Sequence, residues 1–366
     1  MKTSFRLLLL FVFASTLAFG QSPTAPAQGF NLFTEGNVTF QNSGDIEGAT
    51  AIGGDLFLSS GNYNLSIRDA GNFTVAGDSR PTALMINGRI HYQGGNPTNV
   101  NSNGWVKLCN QSGSSIFSID PNGATVNTQI TSGSYNSNPR IQLQTNQPSN
   151  KVSGCNLINF SSAFNTMRAT SSGLSGCANT LNPTFPGNPN APNIFLASGK
   201  NVWNISGSDL NYFNELNFQN TPDANKYLVI NVNVSGTFNW NSQFNMNGIG
   251  DQQGAFILWN FYNASSINIT TSSTIKGTIF APNASVSKNN SANIDGQVIA
   301  TSYQQTGGEL HGFPFTPNAT PCGGGCNVTV NTSKTDATCG QNNGSVSAVG
   351  RGASSYTYVW VNNKRA

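Results

Sequence analysis

The two histidines are the first candidates for chemistry, because imidazole is a common base and metal ligand. The 366-residue chain contains only His91 and His311. His91 follows Arg89 in a segment that alternates apolar and polar residues, which predicts a solvated side chain rather than a base. His311 follows Glu309 by two positions, so both side chains would point the same way on a strand. A lone Glu-x-His pair is a weak metal signal, and we expect a structural role for it.

The densest acidic group consists of Asp45, Glu47 and Asp55. Three neighbouring carboxylates could hold Ca²⁺, which takes six to eight oxygen ligands. Asp45 and Glu47 could instead accept hydrogen bonds from the backbone of a turn. A calcium site at these three residues is therefore one of two interpretations.

Other signals for catalysis are missing from the sequence. It contains no Gly-rich phosphate loop, no Gly-x-Ser-x-Gly elbow and no Cys/His nucleophile arrangement. No pattern marks a groove with the paired carboxylates of a glycoside hydrolase. We assign no catalytic and no cofactor-binding residue, and a polysaccharide-degrading enzyme is the less favoured alternative.

Composition and the N-terminus indicate an exported protein. Lys2 and Arg6 precede an apolar run from 7 to 19, which is typical of a secretory signal that ends before Gln21. No later stretch approaches the roughly 20 apolar residues of a membrane span. The net charge of +3 is small and dispersed, which argues against a nucleic-acid partner. We expect an extracellular or cell-surface location and contact with export and anchoring machinery.

The six cysteines of an exported chain predict disulfides rather than a catalytic or zinc site. Cys155 and Cys177 bracket one segment and could be joined, whereas Cys109 stands alone. The connectivity cannot be deduced from the sequence. The candidates for disulfide pairing are Cys155, Cys177, Cys326 and Cys339.

A recurring pattern places apolar residues two and four positions after a glycine. The early copies begin at Gly36, Gly54, Gly71, Gly88 and Gly104, about 16 to 18 residues apart, and four more begin at Gly236, Gly254, Gly277 and Gly296. Each copy predicts a half-buried strand that stacks on the previous one at about 4.8 Å. The pattern favours a right-handed β-solenoid, and a β-sandwich is the alternative.

Other segments complete the predicted organisation. Phe160, Phe164 and Met167 fall on one face of a predicted helix that Asn159 or Ser161 could cap. Residues 121–150 are rich in Asn, Ser, Pro and Gly and predict loops. The expected divisions are a signal peptide (1–20), a main domain (29–316), a linker (317–326) and a short β-rich tail (327–366).

Several separated motifs carry a resemblance across residues 29–316. They include Phe30-Asn-Leu-Phe-Thr-Glu-Gly36, Ile158-Asn-Phe160-Ser-Ser-Ala-Phe164, Gly277-Thr-Ile-Phe-Ala-Pro282 and Gly308-Glu-Leu-His-Gly-Phe-Pro-Phe315. This segment resembles the choice-of-anchor A domain, a family of bacterial surface adhesins of β-helical type. The resemblance implies surface display and brings no catalytic residues.

The tail resembles a different module. Residues 328–360, with Thr335-Asp-Ala-Thr-Cys339 and Tyr356-Thr-Tyr358, are similar to the SprB-type repeat of exported Bacteroidetes surface proteins. The similarity implies a partial β-sandwich-like spacer. Because the sequence stops soon after Trp360, we expect further repeats or a sorting domain to be missing.

Together these features predict a β-solenoid with one packed α-helix, followed by the partial repeat. The expected function is adhesion to polysaccharide, matrix or partner-cell surfaces, through exposed aromatic side chains. The candidate ligand contacts are Trp105, Phe57 and Trp203. An ice-binding solenoid is the alternative, although regular outward threonine columns are missing from the predicted faces.

Overall fold

The computed structural model describes residues 21–59, 61–322, 329–336, 338 and 343–351. The predicted signal peptide (1–20), Cys326, Cys339 and residues 352–366 lie outside these ranges. The described chain is mainly β, as expected, and no helix in it is long and apolar enough to cross a membrane.

The first thirteen strands are β1 (Leu32–Thr34), β2 (Val38–Gln41), β3 (Gly44–Ile46), β4 (Thr50–Ile52), β5 (Leu56–Ser59), β6 (Tyr63–Leu65), β7 (Thr82–Ile86), β8 (Ile90–Gly94), β9 (Thr98–Val100), β10 (Trp105–Leu108), β11 (Ser115–Ile119), β12 (Thr125–Thr131) and β13 (Arg140–Leu143). The later strands are β14 (Asn193–Ile194), β15 (Gly199–Ser206), β16 (Glu215–Phe218), β17 (Lys226–Asn233), β18 (Gly236–Trp240), β19 (Asn245–Asn247), β20 (Ile257–Asn260), β21 (Ala264–Ile269), β22 (Ile275–Lys276), β23 (Thr278–Lys288), β24 (Ile294–Gly296), β25 (Val298–Gln305), β26 (Glu309–Gly312), β27 (Thr329–Thr335) and β28 (Ser345–Arg351). The helices are α1 (Phe160–Ser175) and α2 (Gly207–Tyr212), with short 3-10 turns at Ala25–Ala27, Ser149–Lys151 and Asp251–Phe256.

Two series of parallel strands share the long strands β23 and β25. One series, which we call the helix face, has the order β10-β7-β4-β1-β25-β23-β20-β17-β15. The other, which we call the open face, has the order β8-β5-β2-β25-β23-β21-β18. Strands of the helix face such as β4 and β7 are buried throughout, whereas β2 and β5 alternate buried and half-buried residues. This alternation is typical of a sheet with one solvated side.

A third sheet has the order β11-β12-β13-β9-β6-β3-β26-β24-β22. Its strands are parallel except at one end, where β11, β12 and β13 pair antiparallel. Strands β12 and β13 lie inside residues 121–150, so the prediction of loops there is wrong. Ile130 and Ile141 are fully buried and supply the apolar side chains that this polar segment needs.

The start and the end of the main domain meet in the middle of the molecule. Leu32 in β1 pairs with Val298 in β25, and Val38 in β2 pairs with Tyr303. The third sheet repeats the arrangement, because β26 pairs with β3. Strands β1, β2 and β3 therefore lie between the last strands, β25 and β26, and the strands that follow them in the chain, β4, β5 and β6.

Three of the recurring glycines, Gly36, Gly54 and Gly88, lie on top of one another at a corner of this arrangement. The Gly54 N–H donates to the Gly36 carbonyl and the Gly88 N–H to the Gly54 carbonyl. A Cβ added to Gly88 would lie 2.5 Å from the Gly54 carbonyl oxygen, closer than any side chain allows. The glycines recur because successive segments approach each other this closely.

The predicted stack of apolar residues is correct in part. Val38, Leu56 and Ile90 pair in one register, on β2, β5 and β8. Val106 pairs instead with Leu84 on the helix face. Phe73, which follows Gly71 in the recurring pattern, lies outside every strand and packs against the Phe30 ring at 5.5 Å. A constant glycine spacing therefore does not keep every copy on the same face.

The predicted helix is confirmed as α1. The Asn159 side chain accepts a hydrogen bond from the Ser162 N–H and caps the helix. Phe164 and Met167 are fully buried, and the Phe33 ring stacks on the Phe164 ring at 5.6 Å. The helix thus covers the helix face and hides its apolar outer side.

Two disulfides close the ends of α1. Cys109 is bonded to Cys155 just before the helix, and Cys177 is bonded to Cys322 just after it. Cys155 and Cys177 are therefore both in disulfides, as predicted, but the pairing of one with the other is wrong. The first bridge closes a loop of the chain before α1, and the second joins the end of α1 to the segment after β26.

Candidate functional site

The open face carries one row of outward side chains in continuous register. Each member is half-buried or exposed, and each pairs with the next across a strand. The row consists of His91, Phe57, Thr39, Gln304, Ser287, Asn268 and Asn239. We call it the central row.

A shorter row of hydroxyl side chains runs parallel to it, two residues away along the strands. Its members pair with one another in register. The row consists of Ser302, Ser285, Ser266 and Thr237. The residues between the two rows point inwards, and they include the buried side chains Tyr303, Val286 and Phe238.

Amide side chains in the central row hold one another in place. The Asn268 side-chain amide donates to Asn239 Oδ1 at 2.8 Å, and the Gln304 amide donates to Gln41 Oε1 at 2.8 Å. Each amide has further donor and acceptor capacity. The row therefore offers fixed, neutral hydrogen-bonding groups.

A groove of about 520 Å³ crosses the open face where β5, β2 and β25 meet. Its lining includes the Phe57 ring, Thr39, Gln304 and Gln93, and no charged residue lines it. Phe57 is stacked against the His91 imidazole, with ring centres 4.2 Å apart. The groove therefore combines one aromatic ring with amides and hydroxyls.

His91 also lies beside a carboxylate. Its Nε2 lies 2.7 Å from Asp55 Oδ2. Partial burial acts to raise the pKa of Asp55, but hydrogen bonds from the Arg89 N–H and from His91 outweigh it and lower that pKa. His91 is thus half-buried beside Phe57, less exposed than a solvated surface side chain would be.

A second groove, of about 460 Å³, lies at the other end of the central row. It is bounded by α2 and β18, and its lining includes Asn239, Asn241, Asn211 and Ser208, again without a charged residue. The Asn211 amide donates to the Asn239 carbonyl at 2.8 Å and so joins the helix to the strand. The two grooves therefore cover the row from Phe57 to Ser287 and again at Asn239, and neither has a charged residue in its lining.

Two of the three predicted ligand contacts are not on the surface. Trp105 and Trp203 are each only 5% exposed, and Trp203 stacks on Phe213 at 5.3 Å. Their expected exposure is wrong because both side chains pack into the interior. Phe57 alone of the three lines a groove. No local pattern predicts Gln304 as a neighbour of Phe57, since the two residues lie far apart in the chain.

The three carboxylates of the predicted calcium site each have another partner. Asp45 accepts a hydrogen bond from the Asn64 amide, and Glu47 accepts one from the Gly312 N–H. Asp55 lies beside His91, as described above. In the part of the chain that the structure describes, no group of three or more His, Cys, Asp or Glu side chains is placed to hold a metal ion. The three residues therefore do not form one cluster.

His311 takes part in an ionic network on the third sheet. Its Nδ1 lies 2.7 Å from Asp295 Oδ1, and its Nε2 lies 2.8 Å from Glu309 Oε2. The hydrogen bond with Asp295 raises the pKa of His311 to about 9. Burial acts to lower this pKa, and the hydrogen bond with Glu309 acts to raise it. Lys276 Nζ lies 3.1 Å from the other oxygen of the buried Asp295. The network joins adjacent strands and supports the structural role expected for His311.

Comparison with known proteins identifies the domain. No curated protein and no solved structure matches the chain. Residues 23–312 match the family model described as the "Putative Ice-binding-like adhesive domain", and the chain therefore belongs to this family of adhesive domains.

Proposed function

We propose that this protein is an exported, non-catalytic surface adhesin whose open face binds neutral polysaccharide. The observation that carries the proposal is the groove that combines the Phe57 ring with uncharged amides and hydroxyls. Membership in an adhesive domain family and the presence of two disulfides support a role outside the cell.

We also propose that the sheets wind as a right-handed β-solenoid. Strands β1, β2 and β3 each pair with the strand three places later, β4, β5 and β6. Each set of three strands would then form one coil. The right-handed sense follows the strong preference of parallel crossover connections.

The chemistry of the groove suits a polyhydroxyl ligand. A side-chain amide both donates and accepts hydrogen bonds, so it can bind a sugar hydroxyl that acts as an acceptor or as a donor. The apolar face of a sugar ring can cover the Phe57 ring and remove both from water. Binding a neutral ligand leaves no charge unpaired, since the groove contains none.

Retention on insoluble polysaccharide tests this proposal. We expect the protein to bind cellulose or chitin particles and Phe57→Ala to weaken binding about tenfold, which corresponds to about 1.4 kcal/mol. Phe195→Ala is the matched control, because Phe195 is 69% exposed and lies at the small sheet of β14, β16 and β19. Equal retention of both variants, or no retention of the wild type, would exclude this groove as a glycan site.

Ice binding is the second candidate function. It is favoured by the description of the family and by the parallel register of the open face. The central row nevertheless mixes aromatic, amide and hydroxyl side chains instead of repeating one short residue. Thermal hysteresis measured on the purified protein would support ice binding, and its absence would leave the glycan proposal.

A further inference from the structure

We propose that the ligand is an extended, ribbon-like β-linked glycan chain that lies along the central row, across the strands. This inference rests on the proposed function and adds the shape and direction of the ligand. It follows from the two grooves and the rows that join them.

The two grooves lie along a single track. Thr39 and Gln304 line the first groove and Asn239 lines the second, and all three belong to the central row. From His91 to Asn239 the row crosses six steps between strands, or roughly 29 Å at about 4.8 Å per step. Such a length exceeds a mono- or disaccharide and matches a chain of several sugars.

The side chains along the track repeat in the direction that a polymer would follow. The shorter row of hydroxyl side chains has one member on each strand from β25 (Ser302) to β18 (Thr237). It lies roughly 6.6 Å from the central row. A flat β-linked glycan presents hydroxyls along both edges at a spacing close to that between strands. A helical α-linked glycan turns its hydroxyls away from a plane after a few units.

The central row is held in place before any ligand binds. Asn268 is hydrogen-bonded to Asn239, and the inward neighbours Ile267 and Phe238 are buried. Fixed side chains lose little conformational entropy on binding. Each sugar contact in a shallow groove is weak, but linked contacts act together, so affinity should rise with chain length.

Titration calorimetry with cellobiose, cellohexaose and maltohexaose tests the inference on the purified protein. We expect cellohexaose to bind at least tenfold more tightly than either cellobiose or maltohexaose. Asn268→Asp places a charge on the track between the two grooves, in a side chain of the same shape. It should weaken cellohexaose binding about tenfold and leave cellobiose binding unchanged, while Asn127→Asp, at an exposed position in β12 of the third sheet, should leave both unchanged.

Several outcomes would overturn the inference. Equal affinity for the two β-linked oligosaccharides, or equally tight binding of maltohexaose, would overturn the extended track and leave glycan binding at Phe57 standing. Unchanged cellohexaose binding by a folded Asn268→Asp variant would also overturn the extended track and leave glycan binding at Phe57 standing. Failure of the wild type to bind any of these glycans and any polysaccharide particle would overturn the proposed function as well.

Discussion

Lys107 Nζ lies 2.6 Å from Asp78 Oδ2, and both side chains are almost completely buried, at 3% and 2% exposure. Lys107 belongs to β10, and Asp78 belongs to the irregular segment between β6 and β7. Lys107 Nζ also donates to the Lys151 carbonyl. The ion pair therefore ties a strand, a loop and a 3-10 turn together beneath the surface.

Removing one partner of this pair should destabilise the domain strongly. Lys107→Met leaves the Asp78 carboxylate buried without its nearest cation, and we expect a loss of about 3–5 kcal/mol in the free energy of unfolding. Chemical denaturation monitored by fluorescence measures this loss. The double variant Asp78→Leu/Lys107→Met should recover much of it, because no unpaired charge remains. A loss below about 1 kcal/mol for the single variant would contradict this account.

His311 should make stability depend on pH in the alkaline range. Its pKa rises from the usual 6.5 to about 9 in the folded protein, mainly through the hydrogen bond with Asp295. The folded state binds the proton more tightly than the unfolded chain does, so this stabilisation is complete below pH 6.5. It is lost as the pH rises to about 9, and it amounts to at most about 3 kcal/mol.

The variant His311→Gln isolates this contribution. We expect the difference in unfolding free energy between the wild type and His311→Gln to shrink as the pH rises from 6.5 to 9. Taking the difference removes the contribution of other groups, including Lys288, whose pKa burial lowers to about 8. A difference that stays constant over this range would show that folding does not raise the pKa of His311.

The two disulfides should contribute unequally to stability. Cys177 and Cys322 are 145 residues apart, whereas Cys109 and Cys155 are 46 apart. In the chain-entropy account, the longer loop restricts the unfolded chain by about 1 kcal/mol more. We expect Cys177→Ser/Cys322→Ser to lower the melting temperature more than Cys109→Ser/Cys155→Ser. Calorimetry measures the melting temperature of both double variants. A lower melting temperature for Cys109→Ser/Cys155→Ser than for Cys177→Ser/Cys322→Ser would contradict the chain-entropy account.

Asn260 should be essential for the attachment of α1. Its side-chain amide donates to the Ser171 carbonyl at 2.9 Å and to Asn231 Oδ1 at 2.8 Å, and the residue is fully buried. Asn260→Ala would leave these acceptors unpaired, and we expect a loss of about 1–3 kcal/mol. Asn263→Ala is the control, because the Asn263 side chain is exposed, as is its hydrogen bond to Asn233. Equal unfolding midpoints for the two variants would contradict this role.

Local patterns in the sequence determined the elements that depend on neighbouring residues. The spacing of Phe160, Phe164 and Met167 predicted α1, because a helix places these positions on one face. Alternation predicted which side chains of β2 and β5 point inwards, because a strand has a period of two. The recurring glycines indicated close approach between successive segments, which the contact between Gly54 and Gly88 shows.

Tertiary structure alone decided which elements are neighbours, since no local pattern encodes a contact between distant residues. Thr39 lies beside Gln304 because β2 pairs with β25, and only this pairing brings the two sides of the groove together. Lys107 alternates like an outward residue, yet the segment that carries Asp78 covers it. The exposure of a side chain depends on what packs over its strand, and that is settled only when the whole chain has folded.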